Sequence, residues 1–112
     1  MDEIIFVLTN LPDRDSAQRM AQALIENRTA ACVNILAECS SIYRWQGKVE
    51  TANEVPLLIK TTRAAYSRLE AAIRRHHPYE LPEIVAVPLS IGFPGYLQWV
   101  AQETKASENE GN

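Results

Sequence analysis

The chain is poor in most of what chemistry leans on. It has four glycines among 112 residues and nowhere a glycine-rich run, so no backbone cradle for phosphate is expected. It has two cysteines, Cys32 and Cys39, on one expected strand. They are seven residues apart, about 23 Å when extended, whereas a disulfide needs Cα atoms within about 7 Å. An intrachain bridge is therefore not expected, both residues read as small core side chains, and free thiols fit a reducing cytoplasm. No apolar run approaches the ~20 residues of a membrane span. The first residues lack a basic segment followed by a long apolar one, so no secretory signal is expected. The chain carries no positive excess either: its net charge of −3 argues against nucleic acid as a partner. No Ser-His-Asp order and no closely spaced carboxylate pair stands out, so catalysis finds no constellation to start from.

What is present is an ordinary globular composition, 46% hydrophobic and 22% charged, of a length suited to one domain over residues 1–112. The rest of the chain is organised around the stretch from Ala31 to Thr62. Val33, Ile35, Ala37 and Cys39 alternate, and Tyr43 and Trp45 keep the same odd phase, the period of a strand with one face on a core. Val55, Leu57 and Ile59 alternate on the way back. Between the two runs, Trp45-Gln46-Gly47-Lys48 reads as a tight turn, because Gly takes positive φ cheaply.

The length of that hairpin carries a consequence. Ala31 to Gln46 spans about 53 Å if straight, against roughly 34 Å for the diameter of a compact chain this size. Either the hairpin bends, with Ser40-Ser41 the expected place, or its tip projects with Ile42, Tyr43, Trp45 and Val49 exposed. A projecting apolar edge finds its partner in other copies of the chain, so an oligomer is expected, the alternative being a hairpin curled over its own domain.

Around the hairpin, Ile4 to Leu8 reads as a buried strand. Asp13 is a candidate N-cap for an amphipathic helix from Arg14 to Asn27, with Ala17, Met20, Ala21, Leu24 and Ile25 on its apolar face. Tyr66, Leu69 and Ile73 mark a second helix, stopped by Pro78 after His76-His77. Glu83 to Ser90 reads as a strand, Gly92 to Gly95 as a turn, and Tyr96 to Val100 as the opening of a short last helix. Ala106 to Asn112 is polar and is expected to fray. This order predicts an α+β, ferredoxin-like βαββαβ sandwich with an extended hairpin between its second and third strands and a C-terminal helix. Pro56 would fall in a central strand, where it loses a ladder bond, so it is expected at a strand entrance or a bulge.

Four separated motifs then resemble one family: Thr29-Ala30-Ala31-Cys32-Val33-Asn34, Ser41-Ile42-Tyr43-Arg44-Trp45-Gln46-Gly47-Lys48-Val49-Glu50, Leu58-Ile59-Lys60-Thr61-Thr62, and His77-Pro78-Tyr79-Glu80-Leu81-Pro82-Glu83-Ile84. With Pro12-Asp13 and Tyr96-Leu97-Gln98-Trp99, they are similar to the CutA divalent-cation tolerance family from about Ile4 to Ala101. The resemblance implies a ferredoxin-like subunit, a homotrimer joined through the long hairpin, a bacterial cytoplasmic setting, a response to metal ions and copper binding. The family's copper ligands are a cysteine ending the first strand and two adjacent histidines before Pro-Tyr. His76 and His77 match the histidines. The cysteine position is Thr9, not a soft ligand, and Cys32 is a different position.

Several residues are thereby marked. His76 and His77 are candidate ligands for Cu(II) or another divalent cation; the plainer reading has them complementing a helix C-terminus. Cys32, Tyr43, Lys48, Lys60, Tyr79 and Glu83 are candidates for a cleft between subunits, and Ile42, Tyr43, Trp45 and Trp99 for trimer contacts. Lys60 beside Thr61-Thr62 at a helix start suits a small anion; otherwise Thr62 is a plain N-cap and Lys60 is solvated. A second functional reading is a trimeric small-molecule sensor or scaffold, by fold-level analogy with the PII signalling proteins. A third is an acylphosphatase-like hydrolase, which needs an arginine in a phosphate-cradling loop; Arg14 is near, but Leu11-Pro12-Asp13 is no such loop. No enzyme activity is expected.

Overall fold

The computed structural model describes residues 3–106. The fraying expected over 106–112 falls, from residue 107 on, outside the described residues. The elements run β1 (Ile4–Leu11), α1 (Arg14–Glu26), β2 (Cys32–Ile35), β3 (Cys39–Trp45), β4 (Lys48–Thr62), α2 (Tyr66–His76), β5 (Val85–Pro88) and α3 (Pro94–Glu103). They form one antiparallel sheet of order β2-β4-β1-β5, with β3 also paired to β4. Taking β2 and β3 as two halves of one strand, this is the α+β arrangement expected from the element order.

β4 is the spine of the sheet. Its 15 residues pair with β1 along one edge and with β2 and β3 in turn along the other. Val55, Leu57, Ile59 and Thr61 point to one face and are buried there, facing Leu11, Thr9, Val7 and Ile5 of β1. Onto that face pack Ala17, Met20 and Leu24 of α1 and Leu69, Ala72 and Ile73 of α2. Their spacing of three and four residues is what sets one stripe of each helix against a sheet. Truncating a fully buried member such as Leu57 or Ile73 to alanine costs about 2–5 kcal/mol. Ile25, expected on the α1 stripe, is 42% exposed beyond the edge of the contact. Asp13 caps α1 as expected, accepting a hydrogen bond from the Ser16 amide at 2.7 Å.

The bend in the hairpin is not at Ser40-Ser41, which lie within the unbroken strand β3. It is at Leu36-Ala37-Glu38. Ile35 pairs with Leu57 and Cys39 with Glu54, so these three residues face only two, Val55 and Pro56. That is a bulge of one extra residue. Pro56 lies opposite it: its carbonyl accepts from the Leu36 amide at 2.9 Å, so its missing N–H falls on the interrupted side of the ladder.

One extra residue also inverts the phase of everything beyond it. Val33 and Ile35 pair with the core-facing Ile59 and Leu57. Cys39, Tyr43 and Trp45 instead pair with Glu54, Glu50 and Lys48, on the opposite, outer face. The cysteines are therefore not core residues. Cys39 is exposed, and Cys32 is half-buried opposite Lys60 on the same outer face. Both are free, with partners six residues apart on β4, about 20 Å along the strand.

At the tip, Trp45 pairs with Lys48 across Gln46 (φ +50°) and Gly47 (φ +82°). Two positive φ values define a type I′ turn, whose twist matches a β-ribbon. The molecule measures 45 × 32 × 24 Å, its long axis well beyond a compact chain's diameter. At the far edge β5 is only four residues long, shorter than the Glu83 to Ser90 expected, and Val85 and Val87 are about half exposed. The last helix begins earlier than expected, because Pro94 occupies its first turn, where a missing N–H costs nothing.

Candidate binding site

The loop from His77 to Glu83 joins α2 to β5, and it is tied down at its start. Pro78 forces His77 out of helix; its ψ is 134°. The imidazole thus turned outward meets two backbone groups. Nδ1 accepts from the Tyr79 amide at 3.1 Å, and Nε2 lies 2.7 Å from the Asn10 carbonyl. An amide only donates, so the ring proton sits on Nε2 and is given to Asn10. Burial holds the His77 pKa below the usual histidine range, against the opposing pull of the Asn10 hydrogen bond and the nearby Glu54 charge.

Beyond this tie the chain carries Tyr79 across the end of β1. Its ring lies 4.8 Å from that of His77, centre to centre. Its hydroxyl donates to Glu54 Oε2 at 3.0 Å. Burial first, and then the Glu54 carboxylate, push the Tyr79 pKa far above the usual phenol value, so the phenol remains a donor. Glu54 is 8% exposed. Among the described residues the single ion pair is Arg63 with Glu3, and Glu54 has no cationic partner among them.

Loop and hairpin flank an open cavity of about 750 Å³. Tyr43, Trp45 and Ile42 form the hairpin wall, Tyr79, Glu80 and Leu81 the loop wall, and Asn10, Glu54 and Glu83 the floor and rim. Of the six residues expected in a cleft, Tyr43, Tyr79 and Glu83 line this cavity. Cys32 and Lys60 do not: they pair with each other near the other end of the sheet's outer face. There Lys60 Nζ lies 5.8 Å from the Phe6 ring centre and 5.9 Å from that of Tyr96. Lys48 stands at the hairpin tip opposite Trp45. Asn10 and Glu54 were not expected. The signal for Glu54 is a carboxylate next to the core-facing Val55, a position that alternation alone assigns to solvent.

The anion reading of Lys60 does not fit the geometry. Lys60 is on the outer face, while the Thr61 hydroxyl is buried on the other, donating to the Thr29 carbonyl at 2.7 Å. Thr62 accepts from the Ala65 amide at 3.1 Å and so caps the turn that leads into α2. Arg14 does not serve a phosphate loop; its guanidinium reaches the Leu36 carbonyl at 3.5 Å, by the bulge.

The family copper set does not fit as a chelate within this chain. Both nitrogens of His77 are committed to backbone, His76 is exposed, and Thr9 is fully buried on the core face. Among the described residues no three His, Cys, Asp or Glu groups converge closely enough to hold a metal ion. As candidate subunit contacts, Ile42 is 72% exposed, and Tyr43, Trp45 and Trp99 are each about 40% exposed.

A family model described as CutA1 divalent ion tolerance protein matches residues 5–103. The chain is 45% identical over 104 residues to the divalent-cation tolerance protein CutA of Thermus thermophilus, covering 93% of this chain and 99% of that one. It is 42% identical over 100 residues to mouse Protein CutA, covering 89% of this chain but 56% of the mouse protein. The crystal structure of CutA1 from Oryza sativa superposes with a TM-score of 0.91 at 35% identity, covering 95% of this chain and 97% of that one. With a fold, a sequence and a match along most of its length all in agreement, the chain belongs to the CutA1 divalent ion tolerance family.

Proposed function

We propose that this protein serves divalent-cation tolerance as a homotrimeric binding protein, not an enzyme, with its working surface where the hairpin of one subunit meets the next. The observation that carries the proposal is the hairpin itself. β4 is 15 residues long, the molecule is 45 Å along its major axis, and the tip carries Ile42 at 72% and Val49 at 67% exposure. The sheet's outer face adds Phe6, Leu8 and Leu58, half-buried, and the exposed Val85 and Val87. A ribbon and a sheet face this apolar lose less free energy in a subunit seam than in water. Three chains around one axis give each hairpin one neighbour to lie on, with Ile42, Tyr43, Trp45 and Trp99 as contacts.

The cytoplasm is the proposed setting, supported by the two free thiols. Copper enters this proposal only through His76, whose exposed ring is open to a ligand, with any further ligands supplied from outside the chain. The second reading, a PII-like sensor with a small ligand at the subunit seam, is favoured by the cavity beside Tyr43 and Tyr79. Light scattering on the purified protein tests the assembly. A mass three times the 12.6 kDa of one chain supports it, and a monomer at micromolar concentration overturns it.

A further inference from the structure

We propose that the cavity between the hairpin and the His77–Glu83 loop binds a small organic cation bearing N–H donors, an alkylammonium or guanidinium compound. This rests on the ligand-binding reading above for where the cavity opens, but the ligand class follows from the cavity's own walls. Glu54, Glu80 and Glu83 line it, and among the described residues no lysine, arginine or histidine does. Glu54 is 92% buried by its 8% exposure, and its one bonded oxygen is held by a neutral phenol. A nearly buried carboxylate that faces no basic side chain among the described residues favours a cation in the cavity beside it.

Two observations choose an organic cation over a metal ion. No three candidate ligand groups converge, here or elsewhere among the described residues, so a bare divalent ion finds no coordination shell. The cavity is also far larger than an ion needs, and its hairpin wall includes Tyr43 and Trp45. Aromatic walls beside carboxylates attract an ammonium or guanidinium through the ring quadrupole as well as by charge. N–H donors are favoured over a quaternary ammonium, because Glu54, Glu83 and the Asn10 amide oxygen are hydrogen-bond acceptors.

Calorimetric titration of the intact oligomer at physiological salt tests this, with agmatine, spermidine and tetramethylammonium as probes and light scattering on the same sample. Agmatine or spermidine is expected to bind saturably, one per cavity, and tetramethylammonium at least about fivefold more weakly. Glu54→Gln is expected to weaken the amine by about tenfold and Tyr43→Ala by about fivefold. Glu38→Gln, an exposed carboxylate at the bulge, is expected to change nothing. Should Glu54→Gln not fold, Glu83→Gln at the rim reports the same site with a loss of about threefold. No saturable heat with any probe overturns the proposal, as does equal weakening by Glu54→Gln and Glu38→Gln, or full displacement of the amine by equimolar magnesium. A trimer that binds no amine sinks the ligand class alone; a monomer sinks the assembly whatever it binds.

Discussion

Nε2 of His77 donates to the carbonyl of Asn10 at 2.7 Å, across 67 residues of chain. With Nδ1 taken by the Tyr79 amide, the ring staples the start of the His77–Glu83 loop to the end of β1. A ring spent in this way has no lone pair for a metal. His77→Ala is therefore expected to lower the melting temperature while leaving Cu(II) affinity within about twofold, because it removes hydrogen bonds and not a ligand. A tenfold loss in a Cu(II) titration would show that the ring abandons its backbone partners for the ion. Nitrogen chemical shifts of the imidazole check the same point directly: the Nε2–H tautomer is expected with and without Cu(II).

The same ring gives stability a dependence on pH. Folding holds the His77 pKa below its ordinary value, chiefly through burial. Above the unfolded value of about 6.5 both states are neutral and the contribution is complete. As pH falls below it, the unfolded chain takes up a proton that the folded chain refuses, so stability declines until the folded pKa is reached. Asp13 and Glu3 lie below the usual carboxylate range, through hydrogen bonds from Ser16 and Arg63 respectively, and their contributions fade only in more acidic solution. Melting temperatures from pH 8 to pH 5 are expected to fall for the wild type and to stay flatter for His77→Ala. Parallel curves would exclude His77 as the cause.

Most of the fold was legible from period and punctuation. Asp13 before Ala17, Met20 and Leu24, and Leu69 and Ile73 before Pro78, fixed both helices, since each carried its stripe and a stop or start. The bulge at Leu36-Ala37-Glu38 was not legible. It contains no glycine, and unbroken odd-phase alternation ran straight through it. A one-residue bulge is invisible to a pattern of period two unless the partner strand is known. That single miss put Cys39, Tyr43 and Trp45 on the wrong face. Glu54 was hidden for a different reason: its Tyr79 hydrogen bond comes from 25 residues away, beyond the reach of any local pattern. The last strand, read over Glu83 to Ser90, is shorter at Val85–Pro88, and its exposed valines are the kind of surface a neighbouring subunit takes up.

The turn at the hairpin tip allows a clean test of backbone strain. Gly47 has φ +82°, and a methyl group added there would meet nothing within 4 Å. Any cost of Gly47→Ala therefore comes from the left-handed backbone alone, about 1 kcal/mol. Asparagine tolerates positive φ better than glutamine, so Gln46→Asn at φ +50° is expected to move stability a few tenths of a kcal/mol the other way. Denaturant melts of the two variants check both signs. A loss well above 1 kcal/mol for Gly47→Ala would mean that a sister subunit packs against the turn.

Thr9 is the odd member of the core. It is fully buried opposite Leu57, between Val7 and Leu11 on the same face, and among the described residues its hydroxyl has no hydrogen-bond partner. A buried hydroxyl left unpaired costs about 1–3 kcal/mol of desolvation that nothing returns. Thr9→Val keeps the shape, removes the hydroxyl and suits a strand. It is expected to stabilise the protein by about 1 kcal/mol, a gain of a few degrees in melting temperature for a chain of this length. Because the Thr9 hydroxyl is fully buried in the core whereas His76 is exposed, the same substitution is expected to leave Cu(II) binding unchanged. A fall in melting temperature would show that the hydroxyl has a partner from outside the chain, and a fall in Cu(II) affinity would bring the first strand back into the metal site.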